Sequence, residues 1–207
     1  MPDRNPQVAG LVLAAGSSSR LGRPKQLLKI DGIPMVLRAV RCACSSNCNR
    51  IFVVVGANRS PIVDAINDLD VEIIENRQWR EGIGSSIRTA VERIEVDPCA
   101  YDAALVMLAD QIRIRVEQLN RIIDTFRSKG SIVASNYENT LGVPALFPRE
   151  YFHELRKLAG DTGAKSLLSR HQSQVIRVDC PEASADVDTA QDLVDAEAGL
   201  RGDRAGR

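Results

Sequence analysis

The sequence predicts an α/β protein, a three-layer α/β/α sandwich built on a mainly parallel mixed sheet. Short apolar runs rich in β-branched residues alternate with helix-like segments along nearly the whole chain. That alternation implies strands joined by crossover helices, so that both faces of the sheet are covered. The chain also shows no internal repeat and no internal linker. Residues 1–198 are therefore expected to form one domain, followed by a frayed Gly/Arg/Asp-rich tail over residues 199–207.

Residues 8–14 read as a buried strand running straight into a Gly/Ser-rich turn. A helix follows over residues 34–45, with Pro34 in its first turn. Residues 50–56 form a second strand, and Ser60 caps a helix opening at Pro61. A third strand covers residues 71–75, a helix residues 85–94, and a fourth strand residues 103–109. Residues 115–127 are helical; residues 131–137 and 143–147 are strands. Two helical segments, 149–158 and 163–170, precede a last strand at 174–178 and a final helix at 189–197. In such sheets the ligand lies outside the carboxyl ends of the strands. The segments to watch are therefore residues 15–25, 56–59 and 110–111.

Composition narrows the function. Lys+Arg and Asp+Glu both number 27, so the formal net charge is zero. A general nucleic-acid binder needs an excess of Lys and Arg, so no nucleic-acid partner is expected. No apolar run is long enough for a membrane span, and the first residues lack a signal-type apolar stretch, which predicts a cytoplasmic protein. The five cysteines, an odd set, are expected to be free thiols. Cys42, Cys44 and Cys48 cluster, but on a helix they would point in different directions and no histidine lies nearby, which argues against a metal centre. His153 and His171 sit far from any candidate serine, so a hydrolase triad is not expected.

The most informative stretch is Leu13-Ala-Ala-Gly-Ser-Ser-Ser-Arg-Leu-Gly-Arg-Pro-Lys25. Small residues at Ala14, Ala15 and Gly16 let a ligand approach backbone N–H groups. Arg20 and Lys25 set two positive charges beside that cradle, both expected to face solvent in the free protein. A metal-bound triphosphate needs both features, because charge grows on the leaving pyrophosphate as its bond breaks. Neither G-x-x-x-x-G-K-[ST] nor G-x-G-x-x-G is present. Asp110 ends the apolar run that starts at Ala103, which places it beside the phosphate loop. There it is either a ligand for a cation such as Mg²⁺ or a cap for the next helix.

These residues, together with Lys25-Gln-Leu-Leu, Glu81-Gly-Ile-Gly-Ser-Ser86, Met107-Leu-Ala-Asp-Gln111, Gly160-Asp-Thr-Gly-Ala164 and Asp186-Val-Asp-Thr189, appear in order. The set resembles the molybdenum cofactor cytidylyltransferase and guanylyltransferase group, nucleotidyltransferases with a glycosyltransferase-A-like sheet. The resemblance runs from Val8 to about Glu197. It implies a nucleotide-diphospho-sugar transferase (Rossmann-like) type of fold. It also implies transfer of a nucleoside monophosphate to a phosphorylated acceptor of molybdopterin type, with release of pyrophosphate; the alternatives are a sugar-phosphate nucleotidyltransferase on the same fold and a non-catalytic nucleotide-sensing domain.

On this resemblance Arg20, Lys25 and Asp110 are catalytic, and Asp110 holds Mg²⁺, with Mn²⁺ as the alternative ion. Leu13, Ala14, Ala15, Gly16, Ser17, Arg20, Lys25, Gly56, Ser85 and Ser86 contact the nucleotide. Asp188 matches a late acidic position and is either a second metal ligand or the cap of the last helix. A molybdoenzyme or its chaperone is the implied protein partner. The chain departs from the group's pattern at Ile112, Val143 and Ala190, the first two in segments expected to shape the acceptor pocket. Ala15 and Gly56 replace a glycine and an asparagine of guanine-specific relatives, which favours CTP over GTP.

Overall fold

The computed structural model describes residues 5–17 and 24–184. Arg20, Asp188, the helix expected at 189–197 and the tail lie outside the described residues. Seven strands form one sheet in the order β5-β4-β1-β6-β8-β7-β9. They are β1 (Val8–Ala14), β4 (Arg50–Val55), β5 (Glu72–Glu75), β6 (Ala103–Leu108), β7 (Val133–Tyr137), β8 (Thr140–Pro148) and β9 (Ile176–Asp179). β8 runs antiparallel to both of its neighbours, and every other pairing is parallel. A separate hairpin, β2 (Lys29–Ile30) with β3 (Ile33–Pro34), was not expected from the sequence.

Alternation along β1 shows how the sheet separates two cores. Val8 and Val12 face one side, with β4 contributing Ile51 and Val53 and β6 contributing Leu105 and Met107. Onto that side pack α1 (Met35–Cys44), α2 (Arg59–Ala65) and α4 (Val116–Lys129). Leu11 and Leu13 face the other side, against α3 (Ile83–Glu95), α5 (Phe152–Leu155) and α6 (Ala164–Arg170). Successive side chains of a strand point to opposite faces, so each strand feeds both cores and its sequence is apolar throughout. The three-layer expectation holds. Among the described residues no helix is long and apolar enough to cross a membrane.

Several boundaries differ from the sequence reading. α2 starts at Arg59 with Asn58 as its N-cap, in place of a cap at Ser60. Pro34 ends β3 and caps α1 from outside. Residues 149–158 split into a 3₁₀ turn, Arg149–Tyr151, and the short α5. β8 is longer than expected because Glu138 and Asn139, both at positive φ, form a tight two-residue turn onto β7. All five cysteines are free thiols, with Cys44 and Cys99 exposed.

Candidate active site

Parallel register brings three carboxyl ends together. Leu13 of β1 lies between Val54 of β4 and Leu108 of β6, so the segments after these strands emerge side by side. Backbone hydrogen bonds continue past the strands, from Ala57 N–H to the Ala15 carbonyl at 3.2 Å and from Ala109 N–H to the Leu13 carbonyl at 3.1 Å. Over these ends opens a cleft of about 610 Å³. Its lining includes Leu13, Ala15, Gly16, Ser17, Lys25, Ser86 and Asp110 from the expected set. That volume is in the range of small-ligand pockets.

Lys25 and Asp110 meet in this cleft. The Lys25 ammonium lies 2.5 Å from Oδ2 of Asp110, and its side chain is only 20% exposed, so it does not face open solvent as expected. A carboxylate at the end of β6 draws the ammonium in across the loop. The other oxygen of Asp110, Oδ1, is buried and has no hydrogen-bond partner. A buried carboxylate oxygen without a donor is costly, and a cation or a ligand donor would satisfy it. One carboxylate beside a phosphate-sized space fits Mg²⁺ or Mn²⁺, which take few protein ligands and complete their shell with phosphate and water. Among the described residues no cluster of three or more acidic, His or Cys side chains forms a closed metal cage.

Other expected residues lie around the cleft without lining it. Ala14 is buried towards the opposite face of the sheet, in the core with α1 and α2. Ser85 is fully buried, its hydroxyl donating towards the Gly82 and Gln78 carbonyls and accepting from the Asn76 amide. Its neighbour Ser86, one step around α3, does line the cleft. Gly56 lies beneath Ala15: a Cβ there would come within 2.7 Å of the Ala15 carbonyl oxygen and 2.8 Å of Trp79 Cβ. The chain approach at this point leaves no room for any side chain.

Three buried amides hold the walls, a role the sequence does not assign to them. Gln26 donates to the Gly16 carbonyl at 2.8 Å, fixing the loop after β1. Asn76 donates to Ser85 and Ser86 at 2.8 and 3.0 Å, fixing the start of α3. Gln111 donates to the carbonyls of Val143 at 2.7 Å and Ala183 at 3.2 Å, tying the turn after Asp110 to β8 and to the 3₁₀ turn Pro181–Ser184. The far wall draws in part on the motif stretches at residues 81–86 and 160–164. It comprises Trp79 with the Arg80 guanidinium stacked 4.3 Å from its ring centroid, then Gly82, Ile83 and Asp161.

Comparison with known proteins identifies the family and the fold. The family model described as a MobA-like NTP transferase domain matches residues 10–175. The chain is 30% identical to nicotine blue oxidoreductase of Paenarthrobacter nicotinovorans over 202 residues, covering 91% of this chain and 95% of that one. It is 22% identical to the molybdenum cofactor cytidylyltransferase of Escherichia coli K12 over 188 residues, covering 90% and 94%. The crystal structure of Rv0371C of Mycobacterium tuberculosis in complex with manganese superposes with a TM-score of 0.72 at 30% identity, covering 91% of this chain and 97% of that one. The fold is that of the nucleotide-diphospho-sugar transferases.

Proposed function

The chain belongs to the MobA-like NTP transferase family, and from that premise we propose that it is a metal-dependent cytidylyltransferase acting on a phosphorylated acceptor of molybdopterin type. The observation that carries this reading is Asp110. One of its oxygens is paired with Lys25 and the other is buried without a partner, in a cleft large enough for a nucleotide.

In this reading Asp110 holds a divalent ion, with Asp188 as a second ligand. Ala183, five residues before Asp188, is hydrogen-bonded to Gln111 next to Asp110, which supports that choice. When bound, the ion neutralises triphosphate charge. Lys25 then turns from Asp110 towards the phosphates, where its ammonium and that of no other described lining lysine meets the growing negative charge. Arg20 supplies a second positive group. The backbone of Ala15–Ser17, pinned by Gln26, cradles the phosphates.

An oxygen of the acceptor phosphate attacks the α-phosphorus; a new P–O bond forms, the bond to the β-phosphate oxygen breaks, and pyrophosphate leaves. No protein nucleophile is needed, because a phosphate monoester is already ionised at neutral pH. CTP is favoured because the Ala15 methyl narrows the cleft and Gly56 has no space for a base-pairing amide. We place the reaction in the cytoplasm, since the five cysteines are free thiols. The resemblance also leaves a molybdoenzyme or its chaperone as the receiving partner.

The test is a pyrophosphate-release screen pairing each nucleoside triphosphate with molybdopterin and with sugar phosphates. Release with CTP and molybdopterin is expected. Release only with a sugar phosphate, or with no pair at all, overturns the assignment of the acceptor or of the activity.

A further inference from the structure

Asp110 and Asp161 are the two carboxylates among the described residues that line the cleft. Asp110 is engaged by Lys25. Asp161 is exposed and has no hydrogen bond or ion pair to any described residue. Its loop joins α5 to α6 and is pressed onto the start of α3. Gly84 N–H donates to the Gly160 carbonyl at 3.0 Å. Gly82 has φ +103°, and a Cβ on it would lie 2.4 Å from the Gly160 carbonyl and 2.6 Å from Oδ1 of Asp161. The carboxylate is thus set against the Gly82 backbone, which itself forms part of the cleft wall.

Charge decides what can approach it. A bare carboxylate repels phosphate, so the triphosphate and the acceptor's phosphate belong at the Lys25 end of the cleft. The part of a nucleotide left for the Asp161 wall is neutral and must offer hydrogen-bond donors. Gly82 follows the 3₁₀ turn Trp79–Glu81, and Ile83 follows Gly82, so the same wall carries an indole and an aliphatic side chain. An indole with the Arg80 guanidinium stacked on it, an aliphatic side chain and one acceptor at the edge suit a flat nucleobase better than a sugar.

We propose that Asp161 reads the base of the bound nucleotide, accepting a hydrogen bond from an exocyclic amino group and so selecting cytosine over uracil. The inference rests on the nucleotidyltransferase reading above. A carboxylate only accepts hydrogen bonds; cytosine presents an amino group where uracil presents a carbonyl oxygen. Uracil would leave two acceptors facing each other, a mismatch worth about tenfold to hundredfold in affinity. Guanine and adenine also carry amino groups, so Asp161 does not by itself separate pyrimidines from purines. That separation falls to the wall at Ala15, which Gly56 backs from beneath, and the two devices together specify cytidine.

The test is calorimetric titration of the full chain with CTP and with UTP in the presence of Mg²⁺, without an acceptor. Wild-type protein is expected to bind CTP about tenfold to hundredfold more tightly than UTP. Asp161→Asn, whose amide can also donate to the uracil oxygen, should lose most of that preference and gain affinity for UTP. Asp161→Ala should lose the preference by weakening CTP and relieving the mismatch with UTP. Unchanged CTP preference in both variants overturns the proposal. So does an equal loss for both nucleotides, which would assign the carboxylate to the ribose. Nucleotide binding by the wild-type protein keeps the transferase reading standing in those two cases, whereas no binding of any nucleoside triphosphate by wild-type protein overturns both.

Discussion

The Lys25 ammonium and Oδ2 of Asp110 are 2.5 Å apart, across the gap between the loop after β1 and the end of β6. Each residue holds the other's charge while no ligand is bound. A metal–nucleotide complex offers a better partner to both: a dication for the carboxylate and phosphate oxygens for the ammonium. The free protein therefore keeps its two charged groups in place at small reorganisation cost.

Lys25→Ala should lower turnover at saturating Mg²⁺ by about 10²–10³, the scale for one charge-stabilising donor. Arg20→Ala should fall in the same range. Steady-state pyrophosphate release measures the loss, and a thermal melt checks that the fold persists. Turnover within a few-fold of wild type would remove the residue in question from the chemistry.

Asp110→Asn should behave differently. The side chain keeps its shape but loses the charge that competes for the dication, so the Mg²⁺ concentration giving half-maximal rate should rise steeply. A titration of rate against Mg²⁺ in wild type and variant reads this directly. An unchanged curve would place the metal elsewhere.

The coupling of Ala15 to Gly56 gives a third prediction. A Cβ at position 56 meets the Ala15 carbonyl oxygen at 2.7 Å and Trp79 Cβ at 2.8 Å, neither of which can swing away as a flexible side-chain end could. Gly56→Ala should therefore cost about 1–3 kcal/mol, the usual range for overpacking. It should also weaken nucleotide binding, because relief of the clash displaces Ala15. Denaturant midpoints and CTP titration measure the two effects. If the variant is as stable as wild type and binds CTP normally, the packing account fails.

The sheet and the centre of the site were legible because they depend on local pattern and one general rule. Continuous apolar runs named β1, β4 and β6, and parallel strands deliver their carboxyl-end loops to one place. Ala15, Gly16, Ser17, Lys25 and Asp110 were reached in that way, and Leu13 through the family resemblance. The supporting amides were not. Gln26, Asn76 and Gln111 resemble ordinary polar residues, and Gln111 finds its partners 32 and 72 positions away. Ser85 and Ser86 are adjacent in sequence, yet a rotation of about 100° per helical residue puts one under the wall and the other on it. The β7–β8 turn was hidden because Glu138 and Asn139 take the positive φ that a glycine would have advertised.

The last prediction concerns the opposite end of the sheet, where stability is set without touching the site. The Asp97 side chain is 1% exposed. It lies 3.1 Å from Arg93 and 3.6 Å from Arg50, and both guanidinium groups rest over the Phe52 ring. The Cys99 backbone N–H donates to Oδ1 at 3.0 Å. That hydrogen bond first, and the Arg93 charge after it, hold the Asp97 carboxyl below its ordinary value of 3.8 against the opposing effect of burial. A folded pKa below the unfolded one means that the charged form stabilises the fold fully above the ordinary value. The contribution then fades as pH falls through the folded value. Asp97→Asn should therefore cost about 1.5–3 kcal/mol at neutral pH, the range for hydrogen bonds to a charged group. The gap to wild type should narrow progressively as both proteins are acidified below the ordinary carboxylate pKa. Denaturant unfolding of both at neutral and at acidic pH tests the sign. A gap that stays constant or widens on acidification would show that the Asp97 charge, with its Cys99 and Arg93 partners, contributes no pH-dependent stability.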